Sequence, residues 1–131
     1  VMASDRLTDG VRIAQLLASE VSGDGGRLRD LALADADPDV EPTADGALAY
    51  RIGLDAEDGR DRRPVADVYV HPDRVRIEFR AAVEEAADAA ADADLRVRPK
   101  AVRPPRTLVF VEDGAQVKRA LPVFSAVVDA E

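Results

Sequence analysis

Five cations stand within eleven residues near the end of the chain: Arg96, Arg98, Lys100, Arg103 and Arg106, with no acid among them. Four are arginines, whose planar guanidinium pairs bidentately with carboxylate or phosphate and is more weakly hydrated than an ammonium. Pro99, Pro104 and Pro105 are interleaved with them, and proline fixes φ and biases the preceding residue toward extended backbone. A stiff, extended ladder of cations is an anion or partner surface, so these five residues form the candidate binding site. The chain as a whole carries a formal net charge of −8, which makes the concentration of positive charge the more pointed.

Other stretches hold reactive residue types with weaker claims. His71 is the only histidine; it titrates near neutrality and, with Asp73, has the makings of an acid/base pair. Pro72 and Asp73 are also ordinary tight-turn residues, so an enzyme using His71 ranks last among the functional readings. Asp35, Asp37, Asp39 and Glu41 alternate, as carboxylates around a hard cation such as Ca²⁺ would. An EF-hand loop, however, needs Gly at its sixth position and Glu at its twelfth, where this chain has Val40 and Gly46. "SGDGG" at 22–26 lacks the Lys-Ser/Thr of a phosphate loop, and the absence of cysteine removes disulfides and thiolate ligands. No catalytic residue, metal or cofactor is assigned.

These residues must be positioned by elements that the periodicity predicts. Leu7, Val11, Ala14, Leu17 and Val21 recur at helical spacing over 4–21, with Ser4 or Thr8 as the cap. Strand patterns follow at 27–34 and in "ALAYRIGLD", where Leu48, Tyr50, Ile52 and Leu54 should share one face. "VADVYVHPDRVRIEFR" reads as a hairpin turning at Pro72–Asp73, with Arg74, Arg76, Glu78 and Arg80 on its wet face. An Ala-rich, acidic helix over 81–93 leads to a strand at 95–98. "TLVFV" at 107–111 is a continuous apolar run suited to a central, doubly covered strand. The last helix opens at Asp113, with Gln116 at capping-box spacing, and Pro122 should kink or interrupt it. Residues 55–63 are the one flexible insert. The expectation is a single α+β domain over 1–131: two layers, a mainly antiparallel sheet of five to six strands, and three helices packed chiefly on one face. A crossover through helix 81–93 could add a parallel strand pair.

Composition bounds the setting. Twenty-four of the residues are Ala, so the core should be thin and closely approached. Sixteen Arg stand against two Lys, and eighteen Asp against eight Glu. A GC-rich genome accounts for the Arg and Ala but not for the acidic surplus, which suits a cytoplasm of molar salt. In about 1 M salt the Debye length is roughly 3 Å, so exposed charges there act only on contact. No apolar run approaches membrane-spanning length, and a soluble cytoplasmic protein is expected.

At "DADPDVEPTADG" (35–46), "VYVHPDRVRIEF" (68–79) and "LRVRPKAVRPPRTLVFVE" (95–112) the chain resembles a family of small uncharacterised proteins from halophilic archaea. The resemblance implies the salt-adapted setting and carries over no functional residue.

The expected function is therefore a non-enzymatic interaction or homo-oligomeric module working through residues 96–106. Its cations would pair within the fold, with the acidic helix of a second copy, or with another protein. A nucleic-acid or nucleotide-binding regulatory role is the alternative; the acidic whole and the few aromatics available for base stacking count against it.

Overall fold

The computed structural model describes residues 8–55 and 62–131. The order is α1 (Gly10–Gly23), β1 (Leu31–Ala34), β2 (Ala47–Asp55), β3 (Arg62–His71), β4 (Arg74–Phe79), α2 (Val83–Asp92), β5 (Arg96–Lys100), β6 (Arg106–Val111) and α3 (Gly114–Ala130). The strands form one sheet in the order β1-β2-β3-β4-β6-β5, and every neighbouring pair is antiparallel. This is an α+β fold, as the periodicities predict. Three helices cover one face of the sheet and leave the other open.

The covered face is built from alternation. Val68, Val70, Val75, Ile77, Phe79, Val109 and Val111 point inward and are buried against Ile13 and Leu17 of α1 and Val117, Val123 and Phe124 of α3. The rings of Phe79 and Phe124 meet at 4.9 Å. Ala86 and Ala90 bury the short face of α2, and Ala120 does the same for α3, so small side chains bring the helices close to the sheet. Gly10 is required where α1 starts: its N–H donates to Pro72 O in the β3–β4 turn, and a Cβ there would lie 1.9 Å from His71 O.

Several elements differ from expectation for local reasons. Helix α1 begins at Gly10, later than residue 4, because the Asp9 side chain accepts from Arg12 N and supplies the cap in place of Thr8; Ser4 and Leu7 lie outside the described residues. Strand β1 is confined to Leu31–Ala34. In β2 a bulge between Leu48 and Tyr50 shifts the register, so Leu48 pairs with outward Tyr69 and leaves the face that Tyr50, Ile52 and Leu54 share. Tyr50 donates its hydroxyl hydrogen to Ala14 O of α1.

Helix α2 does not deliver a parallel pair, because β6 occupies the slot between β4 and β5. For the same reason β6 is not central: it is second from an edge, with helices on one side only. Helix α3 runs unbroken through Pro122. The ring is exposed, so the carbonyl it leaves without a backbone donor faces water. At the start of α3, Asp113 accepts from Gln116 N, and Gln116 Oε1 accepts from Glu112 N, one residue before the donor that a capping box would use. Most of the 55–63 insert lies outside the described residues.

Candidate functional site: the open face of the sheet

On the uncovered face, the strand registers line up rows of side chains. One row runs Leu48, Tyr69, Arg76, Phe110, Arg96; the next runs Arg51, Asp67, Glu78, Leu108, Arg98. At the centre of the second row, two carboxylates of neighbouring strands stand directly opposite one another. Asp67 is 3% exposed and Glu78 1%. Like charges in directly opposed positions destabilise a sheet, and a buried carboxylate without compensation costs several kcal/mol. The fold therefore has to bring cations to them.

Those cations come from β2, β4, β5 and β6 and from Arg80, the residue after β4. Arg106 bridges the two acids, its Nη1 donating to Glu78 Oε1 at 2.9 Å and to Asp67 Oδ2 at 3.3 Å. Arg76 Nε donates to Glu78 Oε2 at 2.8 Å, and Lys100 Nζ donates to Glu78 Oε1 at 3.2 Å. Arg51 and Arg80 approach Asp67 from either side at 3.6 and 3.8 Å. Burial by itself would raise the carboxyl of Glu78, but the hydrogen bonds from Arg106 and Lys100 and the charge of Arg76 outweigh it and hold Glu78 below its ordinary value. Burial works in the opposite direction on Arg106, where Glu78 and Asp67 again prevail and raise its pKa. Glu78 stays ionised, and both carboxylates are clamped in a structural role.

His71 sits at the top of the same face. Nδ1–H donates to Ala44 O at 3.0 Å and Nε2 accepts from Arg76 Nη1–H at 2.9 Å, so both nitrogens are engaged in the neutral ring. Burial lowers its pKa, as do the nearby charges of Arg74 and Arg76. Gly46, at φ +94°, closes over this pair, and a Cβ there would press within 2.9 Å of Arg76. The suggested acid/base partner is elsewhere: Asp73 forms its ion pair with Arg74 in the exposed turn. Of the acidic stretch, Asp35 pairs with Arg51, while Asp37 accepts from Asp39 N to shape its own loop.

The five cations read from the sequence thus separate into three groups. Lys100 and Arg106 belong to the buried cluster. Arg96 lies over the Phe110 ring at 4.3 Å and pairs with Glu112 at 3.2 Å. Arg98 and Arg103 are exposed and, among the described residues, make no side-chain ion pair or hydrogen bond; the Arg103–Pro104 peptide bond between them and Arg106 is cis. Pairing with the acids of α2 does not occur, because that helix packs on the opposite side of the sheet. Asp67, Glu78 and Arg51 were missed by motif reading. A usable signal existed: the tight turn pairs His71 with Arg74, and four residues back along each strand this register opposes Asp67 to Glu78.

Five cations around the two buried acids and Asp35 leave a surplus of two, before Arg98 is added. Electrostatic recognition of anions is what such a face can do. The class of protein so defined is an α+β domain whose antiparallel sheet keeps one face open, ion-paired and basic. Within that class, the chain belongs to DUF7993, a family of unknown function, whose model matches residues 2–131. Comparison with curated proteins and with solved structures gives no match.

Proposed function

We propose that the protein is a non-enzymatic interaction module, of a salt-rich cytoplasm, that docks a carboxylate-rich segment of a protein partner on the β5–β6 end of its open face. The observation that carries this reading is the division among the basic residues: Lys100 and Arg106 are spent on Glu78 and Asp67, whereas Arg98 and Arg103 keep their donors free of any described group. The former pin the strand and the latter present charge. Low Lys and abundant Asp support the salt-rich setting, in which only contact pairs, such as guanidinium forks on carboxylates, retain their strength.

A second copy is one source of such a segment, since Glu84, Glu85, Asp88 and Asp92 are exposed on α2. Because α2 and the basic face lie on opposite sides of the sheet, copies would meet head to tail more readily than by a closed twofold exchange. Nucleic acid is less well served: Tyr69 and Phe110, the aromatics of the open face, already carry Arg76 at 4.6 Å and Arg96 at 4.3 Å where bases would stack.

The test uses fluorescence anisotropy of a labelled Asp/Glu-rich peptide at fixed high salt, with wild type and an Arg98→Glu/Arg103→Glu variant that spares the structural Arg106. Saturable binding that weakens about tenfold or more in the variant is expected. Tighter binding of a single-stranded oligonucleotide than of the peptide would replace this reading with the nucleic-acid one, and no binding of either would overturn both.

A further inference from the structure

At the other end of the open face, β1, β2 and β3 frame a concavity of about 180 Å³ whose lining includes Arg51, Arg80, Arg62, Asp67, Asp35 and Pro64. Its chemistry differs from that of the neighbouring cluster. Around Glu78 the cations make short charge-assisted hydrogen bonds, the closest at 2.8 and 2.9 Å. Arg51 and Arg80 stand 3.6 and 3.8 Å from Asp67, and Arg51 stands 3.6 Å from Asp35. These distances are too long for hydrogen bonds. Among the described residues neither guanidinium donates a side-chain hydrogen bond, although each has five N–H donors. Arg62, by contrast, is held by Asp55 at 2.8 Å and forms part of the rim.

We propose that Arg51 and Arg80, converging over Asp67 in this concavity, bind a small phosphate. The two arginines project from β2 and from the residue just past β4, on either side of β3 and two residues out of register, so their backbones are roughly 12 Å apart. A planar carboxylate satisfies one fork. A tetrahedral oxyanion between two forks can accept from both, and its charge replaces attraction at a distance with direct hydrogen bonds. Asp67 anchors the two guanidiniums from below and is acceptor-only when ionised. It can therefore take a hydrogen bond from a protonated phosphate oxygen, which sulfate lacks at neutral pH. The space is on the order of six waters in volume, enough for the phosphate and a short organic substituent beside Pro64 and Ala34.

This site is independent of the docking surface at Arg98 and Arg103, and the experiment keeps the two apart. Inorganic phosphate is titrated into wild type by isothermal calorimetry at constant ionic strength, with sulfate in parallel, and the Gly53 amide, in the wall of the concavity, is followed by NMR. Saturable phosphate binding that shifts Gly53, weakens about tenfold in Arg51→Gln and in Arg80→Gln, is weaker for sulfate and survives Arg98→Glu/Arg103→Glu is the expected result. Because each variant removes one of the three cations around the buried Asp67 carboxylate, unliganded melting curves should fall modestly below wild type while remaining cooperative, so that any loss of binding is read on folded protein. Absence of saturable binding, equal binding of sulfate, or binding unchanged in both glutamine variants would overturn the proposal.

Discussion

The two faces of this sheet are made from the same strands, residue by residue in alternation, yet they are buried by different means. On the covered face, valines, isoleucine and phenylalanine meet a second layer of helices, and Phe79, Val109 and Phe124 are wholly buried. On the open face there is no second layer, and still Asp67, Glu78 and Phe110 are 3%, 1% and 8% exposed. Arginine and lysine side chains do the covering: their aliphatic stems lie along the sheet and their heads reach both the buried carboxylates and the water. Burial on the first face is non-directional and proportional to area; on the second it depends on particular donors reaching particular oxygens.

That contrast is broken most severely from the covered side. Phe124→Ala should cost about 3–5 kcal/mol, because it removes a fully buried ring and the surroundings cannot collapse entirely into the space. On the open face Arg106→Met should cost about 3 kcal/mol, since it retains most of the stem but leaves Glu78 and Asp67 opposed with less compensation. Denaturant titration at fixed salt measures both. The informative step is the rescue. Adding Glu78→Gln to Arg106→Met should recover a substantial part of the loss, whereas adding it to Phe124→Ala should simply sum with it. Equal behaviour in the two backgrounds would mean that the open face is packed like the other and is not governed by charge.

Acid separates the faces more gently. Glu78 has a folded-state pKa below its unfolded value, so the stability it supplies is complete above about pH 4.5 and is lost as pH falls through the folded pKa. His71 also titrates lower when folded. Below about pH 6.5 the unfolded chain binds a proton there that the native chain refuses, and stability falls as pH drops from that point toward the folded pKa. A stability–pH curve should therefore descend in two stages, and Glu78→Gln should flatten the lower one. A variant on the covered face, such as Val109→Ala, should displace the whole curve downward without changing its shape.

What could be read from the sequence follows the same division. Element order, the hairpin and the covered face were legible, because period-2 and period-3.6 patterns record which side of an element meets oil. Leu48 escaped because a bulge after it reverses the facing of one residue without altering the local composition, and β6 was misplaced because an apolar run looks the same under helices or under an arginine. The cations at 96–106 were visible as a set, but their division was not. Whether an arginine is spent on a carboxylate depends on which strand lies beside it, and the insertion of β6 between β4 and β5 is not written in any local pattern. Asp67 and Glu78 were the recoverable part, since one turn fixes their register.

The smallest effect is the sharpest test of whether arginine stems serve as the missing layer. Arg96 is half exposed; it lies over Phe110 at 4.3 Å and pairs with Glu112 at 3.2 Å. An exposed ion pair contributes about 0–1 kcal/mol and a cation–π contact at an exposed site about 0.5–1 kcal/mol, so Arg96→Ala should cost about 1 kcal/mol in low salt. In about 1 M salt the ion pair is screened, while the cover over Phe110 remains. If cover is what matters, Arg96→Met should behave nearly like wild type at high salt and Arg96→Ala should not. If Met and Ala lose the same stability there, the guanidinium is acting through its charge alone, and the open face is held by ion pairs without the apolar shielding that its stems provide.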